Sequence, residues 1–144
     1  MINKFKNLLL IILMTLFTTN VVGNYDKLAY DFNFIDLSGA KLKLSDYKDK
    51  VIVVVNVASQ CGFTNQYEDM QKTWENYRAK GILMLGVPSN DFGGQEPGSN
   101  KEIKTFCESN FGITFPITEI SEVKGDNAHD IYKWALENFG SSAK

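Results

Sequence analysis

The sequence predicts an α/β fold built on a parallel strand–helix–strand crossover, and three stretches carry that prediction. VIVVVNVA (Val51 to Ala58) is a β-branched run without alternation, the pattern of a central strand buried on both faces. Tyr67, Met70, Trp74 and Tyr77 recur at helical spacing directly after it. ILMLGVP (Ile82 to Pro88) is a second buried-strand run. Short joints between the three leave a parallel crossover as the expected connection.

The chain has 144 residues, enough for one domain with a core of ordinary size. A formal charge of −2 gives no basic footprint, so nucleic acid is not an expected partner. With 44% apolar and 22% charged residues and only three prolines, the composition is that of a folded protein. No repeat or low-complexity tract interrupts it.

The N-terminus differs in kind. MINKFKN carries Lys4 and Lys6 without an acid, Leu8 to Phe17 is apolar apart from Thr15, and Val21 and Gly23 are spaced like the small residues of a cleavage site. This pattern predicts a secretory signal peptide over residues 1–23 and a mature domain over 24–144, exported to the periplasm or beyond. A membrane span needs about 20 apolar residues, and this run is half that length, so no stable span is expected after cleavage. No cysteine follows the run to suggest a lipid anchor. Disulfides can persist in an exported compartment.

Along the mature chain, Phe32, Phe34 and Ile35 before DLSG, with Leu42 and Leu44 after it, predict a hairpin. The crossover helix is expected to start at an Asn65–Glu68 capping pair and to stop at Gly81. SNDFGGQEPGSN is a long glycine-rich loop, followed by a helix capped by Ser99 with Glu102, whose face carries Ile103, Phe106 and Cys107. GITFPITEI predicts a strand that Pro116 confines to an edge. Asp126 is the expected cap of a last helix with Ile131, Trp134, Ala135 and Phe139 inward.

One of only two cysteines, Cys61, sits where the first buried strand meets its helix. Ligands bind at the carboxyl ends of strands in open α/β sheets, where helix N-termini favour negative charge. For a cysteine this means a stabilised thiolate, the nucleophilic form. No Lys, Arg or His lies within three residues, so activation must come from backbone donors or distant groups. Gly62 lets the backbone approach a small substrate. The alternative is a permanent structural disulfide between Cys61 and Cys107, common for two cysteines in an exported protein. There is no C-x-x-C. One attacking thiolate with a remote partner fits a sulfenic-acid former and a resolving cysteine.

NVASQCGFTNQY, GVPSNDFGGQEPGSNKEI, FCESNFGITFPI and VKGDNAHDIYKWAL resemble, in order and spacing, successive blocks of the glutathione peroxidase family, from about Tyr30 to the end of the chain. The resemblance implies a thioredoxin-like fold, with a central mixed sheet flanked by helices, and reduction of hydrogen peroxide or organic hydroperoxides. It implies that Cys61 is the peroxidatic residue and Gln95 a hydrogen-bonding partner of sulfur and peroxide. Cys107 matches the resolving cysteine of the thioredoxin-dependent branch. A thioredoxin-like protein or glutathione is then the reductant, the former favoured by Cys107. Without the resemblance, Gln95 reads as a polar loop residue bonding its own turn.

Many relatives carry a third cysteine where this chain has Ser89, which leaves Cys107 as the resolving candidate. Asn56 and Ser59 are expected to shape the joint, and His129 to start the last helix against the surface or a carbonyl. No cofactor or metal is implied, His129 and the cysteines being too scattered for a zinc site, and a monomer is expected. The family also places a tryptophan and an asparagine of its active site in a WNF block beyond this last helix. The sequence stops at GSSAK before such a block, so a piece of a longer chain is expected, with C-terminal elements of the fold missing and a sheet edge exposed. The competing reading from a different class is a non-catalytic thioredoxin-fold module with a structural disulfide.

Overall fold

The computed structural model describes residues 26–140; the signal peptide expected over 1–23 lies outside them. The chain opens on the predicted hairpin, β1 (Asn33–Ile35) antiparallel to β2 (Lys41–Lys43), with Phe34 opposite Leu42. Its turn is held by one carboxylate: Asp36 Oδ1 accepts from the Ser38 N–H at 2.8 Å, the Ala40 N–H at 2.9 Å and the Ser38 hydroxyl. The Ser38 hydroxyl, with the two N–H groups, holds the Asp36 carboxyl below its ordinary pKa. A depressed folded-state pKa gives stability that is complete above the unfolded value and is lost as pH falls through the folded one. The stability difference between wild type and Asp36→Asn should therefore shrink between neutral pH and about pH 3. Urea midpoints at several pH values check this; a pH-independent difference would refute it.

β3 (Val51–Val57), α1 (Gln66–Tyr77) and β4 (Ile82–Pro88) form the crossover, with β3 and β4 parallel in a register running from Val51–Ile82 to Val57–Pro88. Among the described residues β4, not β3, is the strand with a neighbour on each side. Leu83 through Pro88 are all buried, whereas only Val57 of β3 is, and Val51 is 63% exposed. β4 has β3 on one side and Ile117 bridging Gly86 on the other; among the described residues β3 has a strand partner on one edge only.

The predicted GITFPITEI strand shrinks to single bridges, Gly86–Ile117 and Asp36–Thr118. Pro116 has no N–H for a longer ladder, but its carbonyl accepts from Gly86 at 3.0 Å and Thr118 N–H returns to Gly86 O at 2.9 Å. These bridges tie the antiparallel hairpin to the parallel pair, which otherwise stand as two separate two-stranded sheets.

Alternate residues of β4 supply opposite faces. Leu83, Leu85 and Val87 pack with Phe32, Phe34, Leu42, Leu44 and Ile131; Met84 faces Tyr67, Ile103, Cys107, Ile113 and Phe115. Gly86 lies on that second side because a Cβ there would meet Phe115 at 3.3 Å and Ile117 at 3.5 Å. The hairpin and α3 (Asp130–Phe139) thus cover one face, and α1 and α2 (Asn100–Phe111) the other.

Two of three predicted caps change. Ser99 caps α2 as expected, accepting from Glu102 N–H at 3.3 Å and donating its hydroxyl to the Glu102 carboxylate at 2.6 Å. Asn65 precedes α1 but makes no side-chain cap: residues 62–65 already coil, and Phe63, Thr64 and Asn65 carbonyls accept the first helical N–H groups. α3 is capped by His129, not Asp126; His129 Nδ1 accepts from Ile131 N–H at 3.4 Å. Its Nε2 meets Asn33 O at 2.9 Å and its ring stacks on Phe34 at 4.1 Å, so it does touch a carbonyl. Gly81 takes a left-handed φ of 96° after a 3-10 turn at Arg78–Lys80. Two residues read as inward, Tyr77 and Phe139, are 45% and 46% exposed.

Candidate active site

Because β3 and β4 run parallel, their following loops leave from one edge. Ser89 N–H donates to Val57 O at 3.2 Å, and Gln60 N–H to Gln95 O at 2.9 Å, which staples the cysteine loop to the glutamine loop. Cys61 and Gln95 line one open depression of about 740 Å³ with Asn56, Gly62, Gln66 and two aromatic rings, Phe63 and Phe92. Both rings are exposed, at 74% and 54%. The sequence alone placed the cysteine and the glutamine on different loops; the sheet brings them together.

Thr64 fixes the cysteine loop. Its Oγ1 accepts from Cys61 N–H at 3.0 Å and lies 2.7 Å from Cys61 O and 3.0 Å from Ala58 O. Among the described residues, the Gly62 and Phe63 N–H groups make no backbone hydrogen bond, so two donors stay unclaimed beside the half-buried sulfur. The glycine-rich loop is organised by Asn90, whose Oδ1 accepts from Glu96 N–H at 2.9 Å and whose carbonyl accepts from Gly94 N–H at 2.9 Å. Asp91 ties the same loop to the segment before α3 through Val123 N–H at 2.7 Å. Asn56 accepts from the Tyr132 hydroxyl, joining β3 to α3.

Cys107 is elsewhere. It is 1% exposed, packed with Ile103, Met84 and Phe115, and it borders a separate hollow beside the hairpin rather than the Cys61 depression. Both thiols are free. Burial, reinforced by the Glu96 carboxylate, pushes the Cys107 thiol up to about 12.

Sequence reasoning missed three buried polar residues. Tyr67, read as plain core, carries a buried hydroxyl facing Cys107, with Glu96 and Cys61 also within electrostatic reach; burial raises its pKa strongly. Glu96, one residue after Gln95, is buried with both carboxylate oxygens lacking a well-formed hydrogen bond, and the Ser59 hydroxyl beside it is in the same condition. Gln71 is buried in α1, pairing with Thr114 through its amide oxygen and nitrogen, both at 2.9 Å. A lone polar residue in a helix or glycine-rich loop ordinarily reads as solvated, so nothing local marks these positions.

The glutathione peroxidase family model matches residues 29–136. The chain belongs to the glutathione peroxidase family. It is 47% identical over 105 residues to the hydroperoxy fatty acid reductase of Synechocystis, covering 73% of this chain and 62% of that one. The crystal structure of Trgpx in apo form superposes with a TM-score of 0.60 at 33% identity, covering 78% of this chain and 66% of that one. A thioredoxin-family thiol:disulfide interchange protein from Chlorobium tepidum reaches 0.50 at 18% identity over 60% of this chain and 55% of its own, a likeness of fold alone. The fold is thioredoxin-like. The chain spans about two thirds of the length of the curated relatives it matches. Among the described residues no helix is long and apolar enough to cross a membrane, and no cluster of three or more His, Cys, Asp or Glu side chains could hold a metal ion.

Proposed function

We propose that this chain is a thiol peroxidase that reduces hydrogen peroxide or organic hydroperoxides, with Cys61 as nucleophile. The observation that carries the reading is the meeting of Cys61 and Gln95 in one open depression at the carboxyl ends of β3 and β4. The thiolate attacks the terminal peroxide oxygen, the O–O bond breaks, and water or alcohol leaves with a proton. Cys61 keeps the other oxygen as a sulfenic acid. The Gln95 amide and the unclaimed N–H groups of Gly62 and Phe63 steady the charge passing to the leaving oxygen.

Exposed Phe63 and Phe92 beside the sulfur suit the apolar part of an organic hydroperoxide, in line with the name of the Synechocystis relative. Cys107 then resolves the sulfenic acid to a disulfide, which a thioredoxin-like protein, or glutathione, reduces. Because Cys107 is buried one turn from the end of α2, this step requires that end of the helix to open. The basic, apolar and small-residue sequence over 1–23 supports export, and action as a monomer is part of the same reading.

Cys107→Ser tests the assignment. The variant should react with hydroperoxide once, as fast as wild type, and stall as the Cys61 sulfenic acid, with no turnover on a thioredoxin-type dithiol. Stopped-flow oxidation and dimedone trapping read both steps. Full turnover in the variant would remove Cys107 from the cycle.

A further inference from the structure

Asn56 is the one polar side chain in β3. Asparagine is depleted in strands, where its short amide competes for backbone hydrogen bonds and adds little to packing, so its place there needs a reason. Side chains alternate along a strand, which sends Asn56 to the same face as Ile52 and Val54, the face that α3 covers. Near the carboxyl end of the strand it reaches the catalytic depression, which it lines together with Cys61 and Gln95.

The two ends of its amide are placed differently. The oxygen accepts from the Tyr132 hydroxyl of α3, and among the described residues the nitrogen has no hydrogen-bond partner. Burial pushes the Tyr132 phenol above its ordinary range, so the hydroxyl keeps its proton and stays a donor. A hydroxyl fixed as donor turns the amide one way, oxygen toward α3, and leaves the NH2 group for the depression. Resting on the peroxidase reading above, we propose that the Asn56 amide is a second hydrogen-bond donor to the reacting peroxide, beside Gln95, and that Tyr132 is the positioning residue that aims it.

The reaction balances without a proton from either amide. The Cys61 thiolate attacks the terminal oxygen, which carries its hydrogen to sulfur as the S–O bond forms. The sulfur gives up two electrons and the O–O bond breaks. The other oxygen departs as alkoxide or hydroxide and takes a proton from water in the open depression. Negative charge thus moves from sulfur to the leaving oxygen. An N–H held in place before that charge arrives stabilises the transition state more than the bound peroxide. An amide free to turn would also present its oxygen, which repels the growing charge; the Tyr132 contact removes that orientation.

The test compares two electrophiles on the reduced 144-residue chain. Hydrogen peroxide leaves charge on oxygen, whereas iodoacetamide reads the thiolate and its accessibility and expels iodide, which has little need of a donor. Stopped-flow measurement gives each second-order rate, and mass spectrometry assigns the product to Cys61. Asn56→Ala should react with hydrogen peroxide about 10- to 100-fold more slowly and with iodoacetamide at the wild-type rate. Tyr132→Phe keeps the ring and removes the hydroxyl; it should slow the peroxide step about three- to tenfold, the worth of one neutral hydrogen bond. Added to Asn56→Ala it should change nothing further, because the group it aims is gone.

Asn56→Ala reacting with hydrogen peroxide at the wild-type rate would overturn the proposal. So would equal slowing with both electrophiles, the mark of a displaced loop. A Tyr132→Phe effect that persists in full on the Asn56→Ala background overturns the aiming role. Should Asn56→Ala fail to fold, Tyr132→Phe decides alone, and a wild-type peroxide rate in that variant overturns the proposal. A wild-type Cys61 that takes iodoacetamide but ignores hydrogen peroxide overturns the peroxidase reading and this one together.

Discussion

Cys61→Ser is expected to abolish hydroperoxide reduction, by a factor on the order of 1,000 or more, while leaving the fold intact. The argument is chemical. A serine hydroxyl stays protonated at neutral pH and its oxygen is a poor nucleophile toward peroxide, whereas a thiolate displaces alkoxide and holds the transferred oxygen as a sulfenic acid. The structure removes the usual confounders. Cys61 is half-buried in a loop, and its backbone contacts run through Thr64 and do not involve the sulfur. Circular dichroism and the unfolding midpoint should therefore match wild type while peroxide consumption with excess dithiol falls to background. A Cys61→Ser protein that still turned over hydroperoxide at a tenth of the wild-type rate would move the chemistry to another residue.

Leu85→Ala should cause the largest loss of stability, about 2–5 kcal/mol. Leu85 is fully buried on β4, the strand flanked on both sides, and its side chain belongs to the cluster that joins the hairpin to α3. Truncation removes favourable burial and leaves a cavity that the hairpin and helix can close only by shifting relative to the sheet. Urea denaturation should show the midpoint falling by about 1–2 M for a domain of this size. Val51→Ala, at the exposed start of β3, is the internal control and should change stability little. A Leu85→Ala loss below about 1 kcal/mol would mean that β4 is not the packing centre.

The contrast between those two strands shows where sequence reading succeeds. Both are apolar runs of similar length, and pattern alone reads both as buried strands. Burial is decided by neighbours: β4 has a partner on each side and layers on both faces, while β3 has one described strand partner. The caps divide in the same way. Ser99 works as its local spacing predicts because every group involved lies within one turn. Asn65 and Asp126 do not, because a preceding coil and a distant hairpin carbonyl had already set where α1 and α3 begin.

The site divides likewise. Cys61 and Gln95 were legible from the strand-end position and the family blocks, and the parallel crossover alone puts their loops on one edge. The seclusion of Cys107 was not, since helical spacing marks a face without saying how deeply it is covered.

By itself the sequence determined the crossover, the hairpin around DLSG, the family and the two residues that meet in the depression, all from patterns complete within a short span. Only the tertiary structure decided that Cys107 is shut away from Cys61, and that Glu96, Tyr67 and Ser59 are buried. The reason is physical: solvent exclusion, and the pKa values that depend on it, arise from segments far apart in the chain closing over the same volume.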